Sequence, residues 1–286
     1  MKKISFVLFL IIIAALFAAI ILNHKKSIDK KVMTTNKNRL ELSNEKYKEL
    51  FGSYPTPEKE LDPELMLILR KSIFGDVFHS GILDNKTREM ITVTALATMQ
   101  TLPQLKSHSY AALNNGVSPI ELRELIYQLA PFIGFPKTLN AITIVDEVFK
   151  EKGIKLPLEK QGTTNDENRH EKGFAIQNPI YGNEIKEKFK DLPAGFNEFV
   201  PDFLTDFAFG DFYTRNGLDV KTRELMVLVA LTTLGAENQI KAHVKGNLKV
   251  GNSKEVLVAA IVQTIPYIGF PNALNTLKII QDIKYN

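Results

Sequence analysis

Cysteine is absent from this chain of 286 residues. Its absence excludes a disulfide framework, a thiolate zinc site, an iron–sulfur cluster and any mechanism that needs a cysteine nucleophile or a redox-active thiol. The ligand spacing H-E-x-x-H is also missing, and no glycine-rich loop of the kind that binds phosphate occurs. We therefore expect neither a metal ion nor another cofactor.

Positive charge is scarce in the part of the chain that we expect to fold. Residues 1–31 contain six lysines and one aspartate, a net charge of +5, whereas the remaining 30 basic and 31 acidic residues nearly cancel. A nucleic-acid-binding protein would concentrate Lys and Arg on its folded surface. The charge distribution therefore argues against a nucleic-acid partner.

Residues 4–22 form a run of 19 residues that is apolar apart from Ser5. This length is close to the roughly 20 residues that a helix needs to cross a bilayer. No clean A-x-A cleavage site ends the run, so we predict an uncleaved transmembrane or signal-anchor helix within residues 1–23. Lysines flank both ends of the run and leave its orientation open. We expect the folded part of the chain to face the periplasm or cell exterior, or to be secreted if the segment is cleaved.

The chain contains an internal duplication. Residues 74–142 align with residues 209–277 at a constant offset of 135 without a gap, and 28 of the 69 positions are identical. The period is too long for a solenoid, so we expect two helical domains that pack as a pseudo-symmetric pair. We place copy one at 44–150, a polar linker at 151–178 and copy two at 179–286.

Four helices are predicted in each copy. In copy one, apolar residues at helical spacing predict a first helix from Lys86 to Met99, capped by Asp84. Proline, glycine and capping-box signals predict further helices over 103–116 and 118–130, and a fourth through Phe149. No alternating pattern typical of strands competes. The predicted fold class is therefore all-α, with two tandem helical domains.

Few polar side chains are retained at equivalent positions of the two copies. Each retained glutamate lies on a largely apolar stripe of the first helix, where a carboxylate is costly unless it finds a hydrogen-bonding partner. The retained pairs are Arg88 and Arg223, Glu89 and Glu224, Gln104 and Gln239, Lys106 and Lys241, His108 and His243, Gln128 and Gln263, and Asn140 and Asn275.

A glutamate–histidine hydrogen bond in each copy would fix the imidazole tautomer and make His108 and His243 usable general acids or bases. Small residues follow one turn later, Ala111 and Ala112 in copy one and Gly246 in copy two. They leave space for a substrate, or they allow two helices to approach closely. Two interpretations stay open at this point: a catalytic pair beside a cavity, or a buried polar network that joins two helices.

Several motifs of the chain resemble those of a known family. Both copies carry Phe-Gly-Asp, Leu-Asp-x-Lys-Thr-Arg-Glu, Gln-x-Lys-x-His and Gly-Phe-Pro-x-x-Leu-Asn, and copy one carries Asn-Asn-Gly-Val-Ser-Pro. With these motifs the chain is similar to the carboxymuconolactone decarboxylase family, whose fold is that of alkylhydroperoxidase D. The resemblance implies a homo-oligomer, a trimer or hexamer of domains, with small-molecule pockets near subunit contacts.

The alkylhydroperoxidase branch of this family uses a Cys-x-x-Cys pair. The resemblance places those two cysteines at Thr101 and Gln104 in copy one, and at Ala236 and Gln239 in copy two. Neither copy can therefore form the catalytic disulfide, and a peroxiredoxin-type activity is disfavoured.

The decarboxylase branch needs no thiol, and it implies a cofactor-free lyase that acts on a small carboxylated or lactone-like substrate. A histidine would serve as general acid or base, and a glutamate would orient its imidazole. The resemblance implies the catalytic residues His108, Glu89, His243 and Glu224 and the substrate-binding residues Arg88, Gln104, Arg223 and Gln239. The alternative is a non-catalytic module that binds a small molecule or acts as a scaffold.

Overall fold

The computed structural model describes residues 37–56 and 62–284, and these residues form helices and connecting turns with no strand among them. The all-α prediction is confirmed for this part of the chain. The membrane segment predicted at 1–23 lies outside the described residues. Within the described ranges, no helix combines the length and the apolar character that a bilayer crossing requires.

Copy one contains seven α-helices and one π-helix among its described residues. A 3-10 turn, Val77–His79, follows the π-helix. The elements in chain order are α1 (Arg39–Phe51), α2 (Pro63–Arg70), π1 (Lys71–Asp76), α3 (Asn85–Met99), α4 (Leu102–Asn114), α5 (Pro119–Tyr127), α6 (Ala130–Ile133) and α7 (Phe135–Glu151).

Copy two follows a similar order, but it has one additional short helix and a single continuous helix where copy one has α5 and α6. The elements are α8 (Arg169–Tyr181), α9 (Glu184–Phe189), α10 (Phe196–Leu204), π2 (Thr205–Tyr213), α11 (Val220–Leu234), α12 (Glu237–Lys249), α13 (Lys254–Ile268) and α14 (Phe270–Asp282).

The predicted helix starts are confirmed by their caps. The Asp84 side chain accepts from the Thr87 backbone N–H, and Ser118 forms the predicted capping box with Glu121. The third helix of copy one is shorter than predicted and ends at Tyr127. In copy two the equivalent helix continues through Pro266 to Ile268, so that proline does not break it.

The duplication extends further upstream than the sequence alignment indicates. Helix α8 begins inside the stretch 151–178 that the sequence analysis assigned to a linker. Like α1, it has 13 residues, ends before a glycine and packs against the π-helix of its copy. The segment between this helix and the π-helix is longer in copy two. A comparison at one constant offset therefore misses the match between α1 and α8.

The two copies share one hydrophobic core. Every residue is buried over 88–98 of α3 and over 223–232 of α11, and these two helices pack against each other at the centre. A single cluster of buried apolar side chains contains residues of both copies. A helix that is buried all round needs partners on every side, and its own copy cannot supply them all. The two copies are therefore not independent domains with separate cores.

Candidate active site

Copy one brings Glu89 and His108 together. The two side chains project from α3 and α4, and Glu89 Oε2 lies 2.8 Å from His108 Nδ1. Glu89 is fully buried, and the His108 side chain keeps 9% of its surface exposed. Because a carboxylate only accepts hydrogen bonds, Nδ1 carries the hydrogen and Nε2 remains available for proton transfer.

The walls of this site come from both copies. The rings of Phe51, from α1, and Tyr267, from α13 of copy two, meet the His108 imidazole edge to face with centroids 5.8 and 5.5 Å away. Glu89 Oε1 is buried without a hydrogen-bond partner in the structure, and the buried Tyr267 hydroxyl lies beside this carboxylate and the Thr92 side chain. Burial and the charge of Glu89 raise the pKa of Tyr267, so this phenol keeps its hydrogen at neutral pH.

Copy two also forms a glutamate–histidine pair, but tyrosines surround it. Glu224 Oε2 lies 3.0 Å from His243 Nδ1 and 2.7 Å from the Tyr181 hydroxyl, which is also 2.7 Å from Nδ1. The Tyr213 hydroxyl donates to Glu224 Oε1 at 2.6 Å. Burial and the charge of Glu224 raise the pKa of both tyrosines, which therefore act as donors. Both oxygens of Glu224 are occupied.

The space expected beside His243 is filled by Tyr181. A Cβ atom placed on Gly246 would lie 2.6 Å from the Tyr181 hydroxyl, so the missing side chain makes room for that tyrosine and not for a substrate. Sequence reasoning missed Tyr181 because it lies upstream of residues 209–277, the part of copy two that aligns with copy one. Tyr213 is the counterpart of Phe78 at the 135-residue offset, so the signal for it lies at a position where the two copies differ and not among the retained polar residues.

The structure gives Arg88 and Arg223 another role than the predicted substrate binding. Both are buried, and their guanidinium groups donate to backbone carbonyls and across the two copies, Arg88 to Gln263 and Arg223 to Gln128, each at 2.8 Å. Burial lowers the pKa of each arginine to about 10, so both stay charged at neutral pH. Through these hydrogen bonds the two guanidinium groups join copy one to copy two.

The remaining predicted residues lie at the surface. Gln104 and Gln239 are exposed, one turn before the histidine of their helix. Lys106 forms an ion pair with Glu147 and Glu151. No three His, Asp or Glu side chains among the described residues lie close enough together to hold a metal ion.

A buried ion pair between the copies was not predicted. The Glu124 carboxylate is fully buried and accepts from Arg215 through Nε at 2.7 Å and Nη2 at 3.0 Å. The equivalent positions on the opposite side are Ala259 and Ser80, so the pair exists on one side of the interface only. A search for residues retained in both copies could not find it.

Four cavities of about 300 to 470 Å³ in the described part of the chain have linings that include neither His108 nor His243. One of them, of about 360 Å³, lies between the N-terminal ends of α3 and α11. Its lining includes Lys86, Thr87, Lys221 and Thr222, but neither histidine. With side-chain exposures of 9 and 12%, His108 and His243 are only narrowly accessible.

Comparison with known proteins identifies relatives of the chain. The family model described as the carboxymuconolactone decarboxylase family matches residues 63–147 and 200–282. A 4-carboxymuconolactone decarboxylase from Acinetobacter baylyi is 25% identical over 119 residues, which is 42% of this chain and 89% of the relative. A nitrosuccinic acid decarboxylase from Metarhizium robertsii is 27% identical over 78 residues, 27% of this chain and 54% of the relative.

A solved structure shares the fold. It is described as that of a gamma-carboxymuconolactone decarboxylase subunit from Burkholderia xenovorans, and it aligns with a TM-score of 0.52 at 21% sequence identity. The alignment covers 85% of this chain and 96% of that one, so the likeness includes both copies.

Proposed function

This chain belongs to the carboxymuconolactone decarboxylase family, and on that premise we propose that it is a cofactor-free carboxy-lyase acting on a small carboxylated or lactone-like molecule. The observation that carries the proposal is the hydrogen bond between buried Glu89 and His108, which leaves Nε2 available. Two relatives of the chain are decarboxylases, which supports the reaction type.

The proposed reaction needs one acid. When the carbon–carbon bond breaks, carbon dioxide departs and the bonding electron pair stays on the substrate, where an unsaturated lactone or a nitro group delocalises it. The carbanion then takes a proton from Nε2 of a protonated imidazole, and the imidazole regains a proton from water. Glu89 would hold the His108 ring in position through Nδ1 and stabilise its positive charge.

A non-catalytic binding or scaffold module is the second candidate. Two observations favour it: both oxygens of Glu224 are occupied by side-chain donors, and both histidines are largely buried. A thiol peroxidase activity has no support, because the sequence contains no cysteine.

Turnover of two probes tests the proposal. We would offer 4-carboxymuconolactone and nitrosuccinic acid to the full-length protein and measure the release of carbon dioxide. Glutamine can keep a hydrogen bond to the glutamate but cannot transfer a proton, so the double variant H108Q/H243Q should lose about 100-fold or more in turnover.

The matched control is H170Q. It removes a histidine that also contacts a carboxylate, Asp206, but lies at the surface, and it should leave turnover unchanged. Full turnover by the double variant would refute the role of the histidines. Failure of the unmodified chain to release carbon dioxide from either probe would favour the binding module.

We also propose that residues 1–23 tether the protein to a membrane and that the body forms homo-oligomers. Self-association is supported by Phe196, Phe199 and Phe203 of α10, which are 58, 57 and 46% exposed and form a continuous aromatic strip. Exposed apolar patches of this kind mark interaction sites. Extraction of membranes with alkaline carbonate tests the tether, and light scattering on the detergent-solubilised chain tests the assembly.

A further inference from the structure

The two glutamate–histidine pairs have the same ancestry but different surroundings. Three neighbouring positions differ between the copies, and together they decide which groups reach the carboxylate. In copy two these positions hold Tyr181, Tyr213 and Gly246, here named the tyrosine clamp, and in copy one they hold Phe51, Phe78 and Ala111.

The first consequence of the tyrosine clamp is electrostatic. Glu224 accepts hydrogen bonds from two phenols and from His243, whereas Glu89 accepts one from His108 alone. Each donor draws on the negative charge of the carboxylate. The full charge of Glu89 is therefore available to a protonated imidazole, and that of Glu224 is shared among three groups.

The second consequence is steric. In copy two the Tyr181 hydroxyl stands 2.7 Å from His243 Nδ1, in the room that Gly246 leaves. In copy one the equivalent ring, Phe51, has no hydroxyl, and the Ala111 methyl group occupies the equivalent place. Copy one therefore cannot form a tyrosine clamp of its own, because Phe51 lacks the hydroxyl and Ala111 takes the space that Gly246 leaves in copy two.

The third observation concerns a polar group that copy one has and copy two lacks. Tyr267 packs on the His108 ring, whereas its counterpart on His243 is Phe132, with ring centroids 5.8 Å apart. The buried Tyr267 hydroxyl lies beside the Thr92 side chain and close to the Glu89 carboxylate, whose Oε1 has no hydrogen-bond partner in the structure. A donor in this position suits an oxygen of a bound molecule on which negative charge develops.

We propose that copy one holds the single working centre of this chain, that Tyr267 of copy two donates to a substrate oxygen there, and that the tyrosine clamp closes the second centre. The inference rests on the proposed decarboxylase function. The oxygen that Tyr267 recognises belongs to the group that delocalises the charge, a lactone carbonyl or a nitro group.

The first arm of the test compares H108Q with H108Q/H243Q on 4-carboxymuconolactone and nitrosuccinic acid. With one working centre, H108Q alone should lose as much turnover as the double variant, about 100-fold or more. If H108Q keeps activity that the double variant loses, the single-centre assignment is wrong and the proposed function stands. If the double variant keeps its turnover, the proposed function fails and this inference fails with it.

The second arm uses the tyrosines. Y267F should lower kcat by about tenfold or more, because it removes the proposed donor to the substrate oxygen. Y181F/Y213F should not lower turnover, because these tyrosines belong to the closed second centre. Unaltered kcat in Y267F, or a turnover lost in Y181F/Y213F at a temperature where that variant is folded, would overturn the assignment.

A third arm needs no substrate. F78Y gives copy one the tyrosine that copy two carries at this position, and its hydroxyl should reach the unpartnered oxygen of Glu89. We expect a rise in melting temperature of about 2 °C or more and a fall in kcat. A lower melting temperature would show that the two centres are not geometrically equivalent, which would contradict the inference.

Discussion

The Tyr213 hydroxyl donates a 2.6 Å hydrogen bond to Glu224 Oε1, at a position where copy one carries Phe78. With this hydroxyl, both oxygens of Glu224 have a hydrogen-bond donor; without it, one oxygen of Glu89 has none. The helices that carry the two pairs are equivalent in the two copies, so the difference in chemistry lies in side chains that the family motifs do not include.

Replacing Tyr213 by phenylalanine should destabilise the protein. The variant leaves Glu224 Oε1 buried without its donor, and a buried hydrogen bond to a charged group contributes about 1.5–3 kcal/mol. We expect a loss of this size in the free energy of unfolding, measured by urea denaturation. Y54F is the matched control, since Tyr54 is 55% exposed. Equal losses in the two variants would contradict the prediction.

The protein should lose stability as the pH rises through about 10. Burial and the charge of Glu224 raise the pKa of Tyr181 and Tyr213, so the folded chain keeps two protons that the unfolded chain releases at ordinary tyrosine pKa. The unfolded state then binds fewer protons, and the free energy of unfolding falls with pH, by up to about 1.4 kcal/mol per pH unit and tyrosine.

The variant Y181F/Y213F isolates this contribution. Urea denaturation between about pH 9 and 11 should give a shallower fall than in the unmodified chain, because both raised groups are gone. The lysines titrate equally in the two proteins and cancel in the comparison. Parallel slopes would mean that these tyrosines do not hold their protons in the folded state.

Removal of Arg215 alone should destabilise the protein more than removal of Glu124 and Arg215 together. R215S removes the bidentate partner of the buried Glu124 carboxylate and leaves it Arg123 at 3.3 Å and Arg223 at 3.7 Å, so the cost should reach at most the roughly 3–5 kcal/mol of a fully broken buried pair. E124A/R215S installs the residues that occupy the opposite side of the interface, Ala259 and Ser80. The double variant should therefore unfold at higher urea than R215S, and equal or lower stability would refute the proposed cause.

Gly210 should not tolerate a side chain. A Cβ atom there would lie 2.5 Å from the Arg169 carbonyl oxygen, because π2 packs directly on α8. G210A should cost about 1–3 kcal/mol, as overpacking of a close helix contact does. In G162A the new methyl group would meet only the end of the Arg215 side chain at 3.7 Å, so that control should stay within about 0.5 kcal/mol. Calorimetry distinguishes the two.

Much of the fold was predictable from local signals. Asp84 and Ser118 cap helices where the sequence indicated, because a cap depends on residues within one turn of it. The π-helices Lys71–Asp76 and Thr205–Tyr213 were not predicted. Each π-helix packs against a helix that is distant in sequence, and the periodicity within the π-helix segment does not indicate that contact.

The candidate site was predictable in part. The shared glutamates and histidines directed attention to the pairs that lie 2.8 and 3.0 Å apart, since a carboxylate on an apolar helical stripe requires a partner. Arg88 was assigned to a substrate because arginine beside a glutamate is compatible with that role. Its actual acceptors, carbonyls of the preceding turns and Gln263 of the other copy, depend on how the two copies meet.

The sequence by itself determined the helical fold, the duplication and the lack of cysteine, because each follows from composition or from spacing along the chain, and its motifs carried the resemblance to the family. Only the tertiary structure decided that α3 and α11 share one core, that Tyr267 reaches the histidine of the other copy, and that Tyr181 closes the second pair. Contacts between residues far apart in sequence depend on how helices pack, and packing is fixed by the shapes of many side chains at once.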